Sequence, residues 1–135
     1  MLLLPEDIER IENLGYEESY FVVYVDGFAK LRNVDGHCIF FDPTTKRCKI
    51  YSHRPLGCRI YPIIFDEEYG VMLDPLCPYR HMATCRDVIE GIEMLRNFLR
   101  RVEEAYDYRI DWGLFYITSR SLVNDICRDH IYPTI

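Results

Sequence analysis

The chain has 135 residues and a formal net charge of −6; 49% of its residues are hydrophobic and 28% are charged. This composition is typical of a globular protein and excludes an intrinsically disordered chain. The acidic balance argues against a general nucleic-acid-binding protein and against a protein that binds anionic membranes. A chain of this length favours a single domain over residues 1–135.

The first half of the sequence predicts a helix followed by short strands. PEDIERIENL at 5–14 begins with a proline and two acids and precedes a glycine, as a short amphipathic helix does. The strand candidates are rich in β-branched and aromatic residues. They are 20–25, 28–34 and 37–41, separated by Asp-Gly turns at 26–27 and 35–36. The first two are expected to pair as a hairpin.

Turn residues dominate the middle of the chain and helical periodicity dominates its end. We expect irregular structure with at most one short helical turn over 42–62, a hairpin around the acidic turn 66–70, and a loop over 74–82. Apolar residues recur at helical spacing from Thr84 to Tyr106, and Thr84 with Asp87 is similar to a capping box. Ser119 is expected to cap a final helix. The predicted fold is therefore α+β, with a cysteine-rich β and loop region at 5–80 followed by packed helices at 84–135.

The location of the protein affects how its cysteines are interpreted. No apolar run approaches the roughly 20 residues that span a bilayer. The start, MLLLPED, lacks the basic and long apolar segments of a signal peptide. We therefore expect a cytoplasmic protein, in which clustered cysteines more often bind metal or perform redox chemistry than form disulfides, thermophile cytosols being an exception.

Two of the six cysteines lie on the predicted helices. Cys127 follows Val123 by four residues on an apolar stripe, where a free cysteine behaves as a small hydrophobic residue. Cys85 falls in the first turn of the long helix. The helix dipole there would lower its thiol pKa and make it reactive or a ligand, although a partly buried bystander is at least as common.

The other four cysteines occupy turns and strand ends. Cys38, Cys48, Cys58 and Cys77 are separated by nine, nine and eighteen residues, not by the short Cys-x-x-Cys knuckles of common zinc modules. Loops let thiolates converge, so four of them could close a tetrahedral zinc site or hold an iron–sulfur cluster. Spacing alone leaves four unrelated cysteines as an equal alternative.

The charge around these cysteines favours a metal site. Residues 43–65 contain five basic residues and no acid, in a chain that is acidic as a whole. A divalent metal with four thiolates carries a formal charge of about −2, which nearby cations offset. A solvated loop or a patch for an anionic partner fits the same composition. Two prolines of this segment, Pro55 and Pro62, indicate a rigid backbone. Tyr61-Pro62 is a candidate cis bond, and Gly57 is free to adopt positive φ beside Cys58.

The histidines are weaker candidates. His37 adjoins Cys38 and His53 lies within the basic segment, so either could bind a metal or orient a ligand. Exposure in a loop is the commoner outcome for histidine, and the same applies to His81 and His130.

The segment CKIYSHRPLGCRIYP at 48–62 closely resembles the hallmark of the cysteine-cluster proteins called the YkgJ family, described as a zinc- or iron-chelating domain. That family has Cys-x-Ile-Tyr, two residues, Arg-Pro, two residues, Cys-Arg, an aromatic residue and Pro. GHCIFFD resembles the family's Gly-x-Cys-x-Phe-Leu-Asp element and contributes Cys38, while DPLCP resembles its later Cys-Pro element and contributes Cys77. The resemblance covers roughly residues 5 to 80 and implies that Cys38, Cys48, Cys58 and Cys77 are metal ligands.

The chain departs from the family pattern at its start. The family opens with Cys-x-x-Cys followed closely by Cys-Cys, and this sequence contains neither. Because MLLLPEDIERI resembles the segment that follows that cluster, we expect a cysteine cluster to be encoded upstream of Met1, so that these four cysteines are half of the ligand set.

Three functions remain open at this point. The favoured one is a metal-chelating domain that binds zinc, iron or an iron–sulfur cluster. The alternative is an iron–sulfur oxidoreductase or a methyl-transfer accessory enzyme that uses the same cysteines, as labels within the family imply. A metal-free scaffold is the third. The sequence contains no phosphate loop, G-x-S-x-G or H-E-x-x-H motif that would favour another enzyme class.

Overall fold

The computed structural model describes residues 1–128 and has the expected α+β fold. The helices are α1 (Pro5–Glu12), α2 (Glu18–Phe21), α3 (Leu56–Ile60), α4 (Cys85–Tyr106) and α5 (Trp112–Ile126). The strands are β1 (Val22–Val25), β2 (Phe28–Leu31), β3 (Asn33–Val34), β4 (His37–Cys38), β5 (Phe41–Asp42), β6 (Arg47–Cys48), β7 (Ile63–Asp66) and β8 (Gly70–Leu73). Within the described residues each strand pairs with the next in an antiparallel hairpin, which gives four two-stranded sheets.

The chain divides into two compact units. The first comprises Met1–Arg59 together with Glu104–Asp107, and the second comprises 60–103 and the chain from 108 onward. Every helix in residues 1–128 is too short or too polar to cross a bilayer.

The first unit is built on α1 and three hairpins around an apolar core. Phe21 and Phe40 are among the largest fully buried side chains, and their rings lie 5.8 Å apart. The predicted β1–β2 hairpin is confirmed, with Val22 opposite Leu31 and Val25 opposite Phe28. Both residues of the Asp26-Gly27 turn have positive φ, which is the turn geometry that matches the twist of a hairpin.

The second unit packs the β7–β8 hairpin with α4 and α5. The reciprocal cap of α4 is confirmed: the Thr84 backbone N–H donates to Asp87 Oδ2 at 3.0 Å, and the Asp87 N–H donates to Thr84 Oγ1 at 3.1 Å. Gly70 has a φ of +81°, and a Cβ on it would lie 2.3 Å from Thr118 Oγ1. A larger residue would therefore push β8 away from α5, and only glycine satisfies both constraints.

Two predictions about local structure were wrong. Helix α5 begins at Trp112 and not near Ser119, because Asp111 caps it by accepting a hydrogen bond from the Leu114 N–H at 3.0 Å; Ser119 lies buried in its interior. The 42–62 segment is also more regular than predicted. It contains the end of the β5–β6 hairpin, a 3₁₀ turn at Tyr51–His53 and helix α3.

Candidate metal centre

Three of the four predicted ligand residues share one environment. Cys38 ends β4, Cys48 ends β6 and Cys58 lies in α3, and all three are partly buried against the same apolar cluster in the first unit, which includes Phe40 and Ile50. Cys77 belongs to the second unit, where it is buried. Residues that are 20 positions apart in the sequence are thus brought onto one core.

The main chain of Phe40 connects the first two of these cysteines. Its amide group donates a hydrogen bond to the Cys38 thiol, and its carbonyl accepts one from the Lys49 N–H at 2.8 Å. Lys49 directly follows Cys48, and Phe40 itself is 1% exposed. A fully buried ring therefore fixes the backbone between β4 and β6.

The backbone before Cys58 is held by an ion pair on α1. Arg10 Nη2 lies 2.7 Å from Asp7 Oδ1 and also donates to the carbonyl of Arg54 at 3.0 Å. Asp7 Oδ1 in turn accepts from the Leu56 N–H at 3.1 Å. The pair thus contacts the residue before Pro55 and the residue after it, and Pro55 is fully buried between them.

Sequence reasoning missed the role of Asp7 and Arg10. The sequence indicated Asp7 only as one of two acids at the start of the helix, yet it is 1% exposed and also accepts from the Leu4 N–H at 2.9 Å. The signal was its position: Asp7 lies four residues before Ile11 and four after Leu3, on the apolar face of the helix. A carboxylate on that face is buried and needs partners.

The prediction for Gly57 was wrong, whereas those for its neighbouring prolines hold. Arg54 is extended before Pro55, with φ −54° and ψ 146°, and the Tyr61-Pro62 bond is cis. Gly57 is not among the residues with positive φ, because it lies inside α3. Its small size matters for another reason: a Cβ would lie 2.5 Å from Met1 Sδ.

The partial burial of Cys38 and Cys58 favours their protonated form. Burial, together with the nearby Cys38 and Cys48, raises the pKa of Cys58 to about 11. Burial also raises the pKa of Cys38, although the hydrogen bond from Phe40 opposes this shift and Cys48 adds to it. Because Cys48 acts on the pKa of both Cys38 and Cys58, the three thiols lie close enough to interact electrostatically.

These shifts predict the pH dependence of alkylation. In the metal-free folded chain, Cys58 should react slowly with iodoacetamide at pH 8 and about tenfold faster per pH unit up to about pH 11, because only the thiolate reacts. In urea it should follow an ordinary thiol with a pKa of about 8.5. Because the folded-state pKa is higher than the unfolded-state pKa, the contribution of this thiol to the free energy of unfolding is at its maximum below about pH 8.5. It declines as the pH approaches 11. Peptide mass spectrometry measures the rates, and equal rates with and without urea would contradict the prediction.

The donor set fits zinc or iron by its chemistry but does not form a finished cage. Three thiols on one core are ligands that both metals accept. In residues 1–128 no group of three or more cysteine, histidine or acidic side chains has the geometry of a metal site. Ligand closure would therefore require side-chain rotation or a local backbone shift.

The described histidines are all exposed. His37 stacks on Phe41 with ring centroids 4.6 Å apart, and His53 ends the 3₁₀ turn. His81 lies in the turn at Arg80–Met82, and His130 lies outside the described residues.

The two remaining cysteines form a disulfide, which corrects their predicted roles. Cys127 is buried, as predicted, but it is bonded to Cys85 and is not free. Cys85 opens α4 and Cys127 caps α5, so the bond joins the start of one helix to the end of the other, and Val88 and Val123 pack around it. Neither cysteine is available as a ligand or a nucleophile while the bond is intact. Hydrophobic periodicity could not distinguish a buried thiol from a buried disulfide.

Comparison with known proteins agrees with the resemblance read from the sequence. Residues 1–78 match the CxxCxxCC family model, whose description is "Putative zinc- or iron-chelating domain". The chain is also 49% identical over 51 residues to the uncharacterized protein MJ0661 of Methanocaldococcus jannaschii, a match that covers 37% of this chain and 28% of that protein. The chain therefore spans well under two thirds of the length of this curated relative. No solved structure matches the chain significantly. The family match covers more than half of the residues and includes Cys38, Cys48, Cys58 and Cys77, and the chain belongs to the CxxCxxCC family of zinc- or iron-chelating domains.

Proposed function

We propose that the chain chelates zinc or iron through the thiolates of Cys38, Cys48 and Cys58. The observation that carries the proposal is that three thiols from separate elements pack against one core, close enough for Cys38 and Cys48 to raise the pKa of Cys58. The family match over residues 1–78 supports the same conclusion.

The residues around the thiols suit a cation. Cys38 and Cys58 hold their protons in the metal-free chain, so metal binding must displace these protons and should release them to solvent. The basic residues of 43–65 offset the negative charge that builds up when several thiolates share one metal ion. A bound zinc ion would stabilise the fold, whereas an iron–sulfur cluster would supply one-electron chemistry.

The test is metal stoichiometry after anaerobic purification. We expect about one zinc ion or one iron centre per chain by elemental analysis, and Cys58→Ser should lose at least about tenfold in metal affinity because it removes one of the proposed ligands. Zinc without colour indicates a closed tetrahedral site, and iron with visible thiolate-to-iron absorption indicates a cluster. Absence of both metals from the wild-type chain contradicts the proposal.

A cysteine outside the proposed set provides the control. Cys127→Ala also removes a buried sulfur atom, but from the disulfide in the second unit. Its metal content should equal that of the wild type. If Cys127→Ala loses metal as completely as Cys58→Ser, general destabilisation and not ligand removal explains the loss. Cys77→Ser tests, in the same assay, the role that the family resemblance implies for Cys77.

We also propose that this function operates in the cytosol. Thiolate chelation needs reduced cysteines, which a reducing compartment maintains, and Cys38, Cys48, Cys58 and Cys77 are free. The disulfide can persist there if reductants cannot reach it, and both of its cysteines are 4% exposed. Acid quenching of cells followed by alkylation should find four alkylated cysteines per chain. Alkylation of all six would show that the disulfide does not form there.

A further inference from the structure

We propose that a basic pocket in the first unit binds a small oxyanion that carries two or more negative charges on phosphate or carboxylate groups. The pocket is a cavity of about 660 Å³. Its lining residues are Lys46, Arg47, Cys48, Tyr51 and Arg54. This volume lies within the range of small-molecule sites, roughly 300 to 1,000 Å³.

The cations of the pocket are not neutralised by carboxylates of the described residues. In residues 1–128, none of the three forms an ion pair with a carboxylate. The nearest acid along the chain is Asp42, the strand partner of Arg47, and its Oδ1 accepts a hydrogen bond from the Thr44 N–H at 2.9 Å. Like charges around one cavity repel each other, and the attraction of each cation to a bound anion would offset that repulsion. The concentration of positive charge is notable in a chain with a net charge of −6.

One of these cations is held in place before any ligand arrives. The Arg54 guanidinium lies over the Tyr51 ring, 3.9 Å from its centroid, and its Nε donates to the Tyr51 carbonyl at 3.0 Å. Arg10 fixes the Arg54 carbonyl, as described above. Both Nη groups of Arg54 are left without a hydrogen-bond partner in the described part of the chain. A fixed guanidinium with free donors binds carboxylate or phosphate oxygens at a small entropic cost.

The hairpin β5–β6 presents the other two cations. Lys46 occupies its turn with a φ of +59°, and its N–H donates to the Asp42 carbonyl at 2.6 Å. Arg47 and Cys48 follow on β6. Because Lys46 and Arg47 are exposed and Arg54 is partly buried, an anion can enter from solvent and contact all three.

Anion binding in this pocket is a function separate from metal chelation. Metal ions require anionic or neutral donors, and the pocket offers three positive charges and only one thiol. The cations and the stacked tyrosine are present in the metal-free chain, so anion binding does not depend on a metal. The pocket places a bound anion beside Cys48.

Calorimetric titration tests the site directly. The full chain is titrated at low ionic strength with inorganic pyrophosphate and, separately, with citrate, while acetate serves as the monoanion reference. We expect saturable binding at one site per chain for at least one of the two polyanions, at least tenfold tighter than for acetate. Tighter binding of pyrophosphate identifies phosphate as the preferred group, and tighter binding of citrate identifies carboxylate. No saturable binding of either polyanion overturns the inference.

Variants that each remove one positive charge distinguish binding in the pocket from attraction to the positive charge of the whole basic segment. Arg54→Ala should weaken polyanion binding at least tenfold, and Lys46→Ala, at an exposed turn, should weaken it at least threefold. Lys49→Ala removes one positive charge from the same segment, but Lys49 is exposed and does not line the pocket. It should change the dissociation constant less than threefold. If Lys49→Ala weakens binding as much as Arg54→Ala, the basic segment attracts anions only as a diffuse field and the pocket is not a site. Metal content, measured on the same samples, reports separately on chelation.

Discussion

Asp7→Ala should lower the free energy of unfolding by about 4 kcal/mol, because it removes a buried carboxylate that satisfies several partners at once. The Leu4 and Leu56 amides would lose their acceptor, and the Arg10 guanidinium would lose its counter-charge. Asp7→Asn keeps one acceptor oxygen and the shape of the side chain, so its cost should be intermediate. Urea denaturation monitored by circular dichroism measures both effects.

The consequences of Asp7→Ala should extend to the proposed metal ligands. Without the hydrogen bond to Leu56, the start of α3 loosens and Cys58 becomes more accessible, so its alkylation at pH 8 should accelerate under conditions where the variant is still folded. The control is Glu9→Ala, which removes an exposed acid from the same helix. It should change the free energy of unfolding by no more than about 0.5 kcal/mol. A similar loss in both variants would show that Asp7 acts only through helical charge.

Reduction of the Cys85–Cys127 disulfide should lower the free energy of unfolding by about 4 kcal/mol. The bond closes a loop with a sequence separation of 42 residues, and restricting a loop of that length in the unfolded chain is worth about this much. The expected observation is a lower urea midpoint in dithiothreitol than in its absence. Thiol titration of the denatured, non-reduced chain should count four free thiols.

The double variant Cys85→Ala/Cys127→Ala controls for other effects of the reductant. Its free energy of unfolding should be that of the reduced wild type, lowered further by about 1 kcal/mol for each lost sulfur contact. Its urea midpoint should be the same with and without dithiothreitol. Six free thiols in the non-reduced wild type, or an unchanged midpoint on reduction, would contradict the disulfide.

Local patterns in the sequence predicted the secondary-structure elements that depend on residues close together in the chain. The helix at Pro5–Glu12, the β1–β2 hairpin with its Asp-Gly turn and the cap of α4 follow from residues within a few positions of one another. The start of α5 was misplaced because Ser119 and Asp111 are both acceptable N-caps, and the packing of the whole helix decides between them. Ser119 has no hydrogen-bond partner for its hydroxyl in the described residues and is buried as a small residue.

The candidate site also combines features that the local sequence predicts with features that only the folded chain reveals. Positions in turns and at strand ends singled out Cys38, Cys48, Cys58 and Cys77, and the family resemblance implied that they are ligands. The ion pair around Pro55 joins residues 44 to 49 positions apart and has no local signature. The disulfide between Cys85 and Cys127 likewise depends on which helix ends lie next to each other in the fold. The apolar periodicity of a single helix does not predict this. The residues of the proposed anion pocket belong to the acid-free basic segment. The sequence alone could not decide whether that segment is a solvated loop, offsets the charge of a metal site or binds an anion.

The buried ion pair on α1 has a practical consequence for work on the cysteine motif. A synthetic peptide covering residues 48–62 would carry both cysteines and both prolines, yet it would lack the two side chains that hold the backbone on either side of Pro55. The rigidity of the fifteen-residue motif depends on two side chains of α1 that lie 44 and 49 residues before the motif residues that they contact. Peptide mimics of this family's signature should therefore include that helix, or replace its restraint with a covalent one.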